Sequence, residues 1–237
     1  MIRSSSFRSI IGMAKNALLP RGKAFRRVRF GPAAGCVMML DLQYELRTFL
    51  GVYERELLPH YQALLRPGLK SFDVGGKNGY TALLIASITR KDVASFDCER
   101  AAVIEMRKVF ERNDLPIVAV EAFVGRDTGE GRITLDDAAE QFFVPDFIKM
   151  DVEGAEVDVL LGAQRLLATR KPDMIVEVHG QKVEAECIKI FVSHGYKPTI
   201  VDPSRFLPEN RPLAFNRWLV CRRSENLLVS RPSSAHE

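Results

Sequence analysis

From about residue 70 onward, short apolar runs alternate with longer segments of helical period. Lys70–Val74, Val93–Asp97, Ile117–Val124, Phe147–Asp151 and Met174–Val178 read as strands, the third rich in β-branched residues and the fifth introduced by Pro172. Between them, Tyr80–Ile88, Ala101–Arg112, Leu135–Phe142, Val157–Ala168 and Ala185–His194 read as helices. In Ala101–Arg112, Val103, Met106, Val109 and Phe110 share one face. Thr199–Val201 and Trp218–Cys221 are expected as later strands. Short strands separated by helices imply βαβ units, and so a mostly parallel sheet covered on both faces. In such sheets ligands bind outside the carboxyl ends of the strands. Chemistry is therefore expected at residues 73–79, 97–99, 122–125, 151–154 and 177–180.

The chain of 237 residues is 46% apolar and 27% charged, close to ordinary globular usage. This excludes a fibrous or disordered chain, and no apolar run approaches the ~18 residues of a membrane span. Cys36, Cys98, Cys187 and Cys221 lie far apart, so neither a disulfide framework nor a zinc ribbon is expected. The reading is a reduced, cytoplasmic protein. The net charge of +4 conceals an asymmetry. Residues 1–30 carry eight Lys or Arg and no acid, leaving 26 basic and 30 acidic residues in the rest. Phe7, Ile10, Ile11, Ala14 and Leu18 recur at helical spacing in that arm. An amphipathic segment on an anionic membrane surface would gain ~1 kcal/mol per basic residue. An organelle-targeting presequence or a solvated terminus would look similar. The expected organisation is a basic amphipathic arm (1–30), a helical cap (31–68) built around Leu42–Leu65, an α/β domain (69–222) and a tail (223–237).

Asp73-Val74-Gly75-Gly76-Lys77-Asn78-Gly79 joins the first strand of the α/β domain to a helix. Glycines there let the backbone turn tightly and approach a ligand. Asp97, 22 residues after Gly75, closes the second strand, where a carboxylate can accept both hydroxyls of an adenosine ribose. Together these indicate an adenosine-containing cofactor. The dinucleotide fingerprint has glycines where this chain has Lys77 and Tyr80, which disfavours nicotinamide or flavin. S-adenosylmethionine carries no phosphate and tolerates the pattern.

The fourth strand ends in Ile148-Lys149-Met150-Asp151, followed by Glu153-Gly154-Ala155-Glu156 at a helix start. A lysine inside a central strand is costly unless paired or at the wet end. Helix capping would account for one acid there. Asp151, Glu153, Glu177 and His179 together exceed that need, and all four fall at carboxyl ends of neighbouring strands.

On these residues the chain resembles the FkbM-type family of S-adenosylmethionine-dependent O-methyltransferases. The stretches that carry the resemblance are Phe72-Asp73-Val74-Gly75-Gly76 with Asn78-Gly79-Tyr80, Phe96-Asp97, Lys149-Met150-Asp151-Val152-Glu153-Gly154-Ala155-Glu156 and Glu177-Val178-His179. It covers about residues 50–200. The resemblance implies a Rossmann-like class I fold: seven strands, mostly parallel, helices on both faces, and a reversed last strand near Arg217–Cys221. It implies that Asp73, Gly75 and Gly79 line the methionine side of the cofactor, and Gly76, Asn78 and Tyr80 are expected to bind the cofactor with them. Asp97 would hold the ribose, Ala122 and Phe123 would flank the adenine, and Asp151 would face the methyl group. The chain departs from the family at Lys77, where asparagine is usual. Asp151 or His179 is expected as general base, oriented by Glu177 or Glu153. A divalent ion held by Asp151 and Glu153 is an alternative, but no diagnostic ligand spacing is present and no metal is expected.

The expected acceptor is a hydroxyl of a small molecule, sugar or glycan, with possible peripheral membrane contact through residues 1–30. Nucleic-acid methylation suits the basic arm but lacks its motifs. An inactive cofactor-binding or membrane-associated scaffold is the third reading.

Overall fold

The computed structural model describes residues 19–202 and 216–223. An N-terminal hairpin pairs β1 (Ala24–Arg27) with β2 (Val37–Leu40). It is followed by α1 (Leu46–Leu50), a 3₁₀ turn (Arg55–Leu57) and α2 (Leu58–Leu64). The α/β body then runs β3 (Ser71–Val74), α3 (Tyr80–Thr89), β4 (Val93–Asp97), α4 (Arg100–Phe110), β5 (Ile117–Glu121), β6 (Phe123–Val124), β7 (Arg132–Ile133) and α5 (Leu135–Gln141). It continues through β8 (Phe147–Met150), α6 (Glu156–Leu161), α7 (Gln164–Thr169), β9 (Asp173–His179), α8 (Gln181–Ser193), β10 (Tyr196–Val201) and β11 (Asn216–Arg223).

The main sheet has seven strands in the order β10-β11-β9-β8-β3-β4-β5. β11 runs antiparallel between β10 and β9, whereas β9, β8, β3, β4 and β5 are mutually parallel. This is the doubly wound class I arrangement that the strand pattern and the resemblance implied. Strand residues alternate between two cores. Phe147, Val93, Ile175 and Trp218 face one core with α3, α4 and the N-terminal elements. Phe72, Phe96, Ile148, Met150 and Val176 face the other, with α5 to α8.

The structure departs from the sequence expectation in four places. First, the basic segment does not stay free through residue 30. β1 is bound into the hairpin, Lys23 reaches Glu105 on α4 at 2.6 Å, and Arg112 stacks over Phe25 at 3.8 Å. The amphipathic residues Phe7 to Leu18 lie outside the described residues, as do Pro203–Pro212 and all of the tail beyond Arg223. Second, the cap is not one helical stretch. Gly51 ends α1 in the left-handed conformation (φ 74°), and the non-glycine Glu54 adopts it too (φ 46°). Third, the expected strand Ile117–Val124 breaks at Ala122, and its last two residues leave the main sheet to pair with β7. Fourth, the expected helix Val157–Ala168 is two helices. The Asp136 carboxylate accepts the Arg165 and Leu166 N–H groups, capping a new helix start instead of letting the first continue.

Among the described residues no helix is long and apolar enough to cross a membrane. The four cysteines are free thiols.

Candidate active site

At the carboxyl ends of β3, β4 and β8 lies a cleft of about 290 Å³, lined by Gly75, Lys77, Asp97, Ala102, Ala122, Phe123, Asp151 and Glu153 among others. The turn after β3 forms one wall. Gly75 has φ 87°, and the N–H groups of Gly75 and Gly76 both donate to the Phe96 carbonyl at 2.9 Å. A Cβ at Gly75 would come within 1.8 Å of the Asp151 carbonyl oxygen, so only glycine lets β3 and β8 end this close together.

Asp97 is held by the same turn. Its two carboxylate oxygens accept the backbone N–H groups of Lys77 and Glu99, each at 2.8 Å. Each oxygen keeps acceptor capacity beyond one N–H. Lys77 itself is exposed with φ 50°, a left-handed conformation in which asparagine is far commoner than lysine.

Other residues of the motif lie behind the turn instead of lining the cleft. Asn78 accepts the Tyr80 N–H at 3.1 Å and donates to Glu45 at 2.9 Å, tying the start of α3 to the cap. Tyr80 is buried and meets Tyr53 edge to face, and burial pushes its hydroxyl pKa up to about 12. Gly76 and Gly79 pack on Ser95, Met106 and Phe110. Asp73 is buried and accepts the Ser95 hydroxyl proton at 2.8 Å. Burial raises its pKa to about 6, against the opposing pull of that hydrogen bond and of Lys149.

Beside the cleft stands a second group. His179 Nδ1 donates to Glu156 Oε1 at 2.6 Å, while His179 Nε2 lies 3.5 Å from Asp151 Oδ1 and 3.7 Å from Glu177 Oε1. Glu177 also accepts the Trp218 indole N–H at 3.1 Å. Burial pulls the His179 pKa down, but the hydrogen bond to Glu156 and the charges of Asp151, Glu156 and Glu177 together raise it. Lys149, buried in β8, faces Glu54, Asp151, Glu177 and Asp73; burial favours its neutral form, and these carboxylates outweigh that. The lysine that would be costly alone is therefore paired.

The structure thus brings Asp151, Glu177 and His179 together and leaves Glu153 outside the group. Glu153 is exposed at the cleft rim with φ 49°. This turn throws its side chain outward and brings Glu156, wholly buried, onto the histidine. Glu156 and Glu54 were not among the expected site residues. For Glu156 the available signal was its place one helical turn beyond Glu153; for Glu54 there was none.

Residues 73–202 match the family described as the methyltransferase FkbM domain. The chain belongs to that family. It is an S-adenosylmethionine-dependent methyltransferase. Among solved structures, the FkbM methyltransferase of Methylobacillus flagellatus KT is similar at 17% identity and a TM-score of 0.52, covering 90% of this chain and 59% of its own. The fibrillarin of Aeropyrum pernix, solved with natively bound S-adenosyl-L-methionine, has 14% identity and a TM-score of 0.50 over 67% of this chain and 68% of its own. A precorrin 8W decarboxylase of Methanobacterium thermoautotrophicum has 18% identity and a TM-score of 0.50, over 72% and 85%. These likenesses establish the fold. No curated protein matches the sequence.

The cleft suits the cofactor of the family. Asp97 offers spare carboxylate lone pairs at its wall, Ala102, Ala122 and Phe123 give it an apolar side, and the Gly75 turn leaves the backbone bare.

Proposed function

We propose that this FkbM-family enzyme is an O-methyltransferase acting on a hydroxyl of a small molecule, sugar or glycan. The observation that carries the reading is the double membership of Asp151, which lines the donor cleft and also meets His179 in the buried polar group. In this reading Asp151 is the base at the place where donor and acceptor would meet.

When bound, S-adenosylmethionine supplies a methyl group activated by its sulfonium. In this reading the Gly75 turn, Asp97 and the Ala122–Phe123 wall hold the donor. Alignment of the acceptor oxygen with the methyl carbon is worth ~7–11 kcal/mol of the barrier. As that oxygen forms its bond to carbon, the hydroxyl must release its proton. Asp151 accepts it, with His179 beside it to share the charge and Glu156 and Glu177 to hold the imidazole. A positioned base of this kind contributes ~10²–10⁴-fold.

The charge of the acceptor side supports a neutral substrate. On that side Asp151, Glu177 and Glu156 outnumber His179 and the buried Lys149, and Glu153 adds an exposed acid at the cleft rim, a balance that disfavours a phosphodiester backbone and tolerates sugar and alcohol hydroxyls. The test is transfer of labelled methyl from the donor into fractionated small molecules, glycans and nucleic acids. Label in a neutral hydroxyl-bearing fraction, recovered as a methyl ether, supports the proposal. Label confined to nucleic acid, or no label at all, overturns it.

A further inference from the structure

We propose that Asp151, Glu177 and His179 form a binding site for a divalent first-row transition-metal ion at the acceptor end of the cleft. The proposal rests on the O-methyltransferase reading for its purpose, but its geometry stands independently. Among the described residues these three offer one ligand atom each within 4.8 Å of one another.

The first argument is the direction of the lone pairs. His179 Nδ1 is committed to the buried Glu156 carboxylate at 2.6 Å, which holds a proton on that side, so Nε2 is the nitrogen an ion would take in place of a second ring proton. Nε2 faces Asp151 Oδ1 and Glu177 Oε1, so with the ring neutral three ligand atoms converge. One ion could be shared by all three, beside the buried Lys149 that also faces Asp151 and Glu177. A histidine ligand whose other nitrogen donates to a carboxylate is the arrangement in which metal-binding imidazoles are usually held.

The second argument is spacing. Two ligands at ~2.0–2.2 Å from a tetrahedral ion sit ~3.3–3.6 Å apart. The observed 3.5 Å falls in that range and 3.7 Å lies just beyond it, and both are too long for good hydrogen bonds.

The third is unsatisfied polarity. Asp151 Oδ1, one of the three ligand atoms, is buried and has no hydrogen-bond partner. A buried oxygen of this kind is costly when left without a partner. One imidazole with two carboxylates favours Mn²⁺ or Zn²⁺ over Mg²⁺ or Ca²⁺, which prefer all-oxygen sites. An ion there would lie next to the methyl-transfer cleft, where it can polarise an acceptor hydroxyl. This departs from the sequence expectation of no metal, which looked for ligands at Asp151 and Glu153. Glu153 lies exposed at the cleft rim and outside the group, and strand pairing supplies Glu177 and His179 instead.

The experiment titrates the full chain, stripped with chelator, with Mn²⁺ by electron paramagnetic resonance and with Zn²⁺ by calorimetry. S-adenosylhomocysteine binding is measured on the same samples. The expected result is one ion per chain, lost in Asp151→Asn and His179→Ala, and weakened roughly 10–100-fold in Glu156→Gln, whose role is to position the ligand. Should the ligand variants fail to fold, anomalous diffraction from wild-type crystals soaked in Zn²⁺ decides, with a peak between the three named atoms expected. Equal binding by wild type and variants, or no peak there, overturns the metal site. Intact S-adenosylhomocysteine binding and full methyl transfer in the stripped protein would remove the metal while leaving the O-methyltransferase reading in place.

Discussion

Glu156 Oε1 accepts the Nδ1 proton of His179 at 2.6 Å, although the two residues come from a helix start and a strand end 23 positions apart. The wholly buried carboxylate fixes both the tautomer and the orientation of the ring. Glu156→Gln keeps the shape and an acceptor for the Gly154 N–H, at present 3.0 Å from Oε1, but removes the charge. The expected result is a 10–100-fold fall in kcat. The dissociation constant of S-adenosylhomocysteine should change less than threefold (about 0.6 kcal/mol). Steady-state kinetics with calorimetry separate the two.

The closeness of Gly75 to Asp151 makes a severe prediction. Gly75→Ala would drive a Cβ to within 1.8 Å of a backbone carbonyl and strain φ at 87°, with no flexible side chain to yield. A loss of more than about 4 kcal/mol, outside the usual range of single substitutions, is expected in urea unfolding. Gly131→Ala, at φ 65° but with open space around it, should cost only ~1–2 kcal/mol.

Asp97 and Lys77 predict opposite outcomes. Asp97→Ala removes a carboxylate that anchors the Lys77 and Glu99 amides, so donor affinity should fall at least tenfold (about 1.4 kcal/mol) by calorimetry. Lys77→Asn places a residue that tolerates the left-handed region at φ 50°. It should raise stability by up to ~1 kcal/mol. That corresponds to a rise of roughly 2–4 °C in Tm.

Asp73 sets a pH dependence. Burial raises its folded pKa to about 6 from 3.8, so the folded state holds this proton more tightly than the unfolded chain. Stability from this group is therefore greatest below pH 3.8 and declines as pH rises to about 6, by at most ~3 kcal/mol. Asp73→Asn lacks the titration. Urea unfolding from pH 4 to 7 should show the wild type losing stability relative to the variant, and two parallel curves would refute the assignment.

Most strands and helices around the site were legible because each carries its own period; β4 matches its expected bounds at Val93 and Asp97, whereas Ile117–Val124 and Val157–Ala168 each divide in two. Asp97, Asp151, Glu177 and His179 were legible because a parallel sheet gathers strand ends at one edge. Glu156 was not, because the choice between it and Glu153 depends on the left-handed turn at Glu153, which is a non-glycine residue and gives no warning. Glu54 was illegible for a similar reason, since only its own left-handed conformation in the cap turns it inward to join the buried charges. Asn78 appeared suited to the cofactor, yet both ends of its side chain serve the start of α3 and the cap.

The central claim is that one cleft grips the donor through Asp97 and presents its methyl group beside Asp151. A crystal structure of the chain with S-adenosylhomocysteine tests it most directly. The account predicts the ribose hydroxyls on the Asp97 carboxylate, the adenine along Ala122 and Phe123, and the sulfur nearest Asp151. A ligand seated elsewhere, or a ribose that does not touch Asp97, would contradict it.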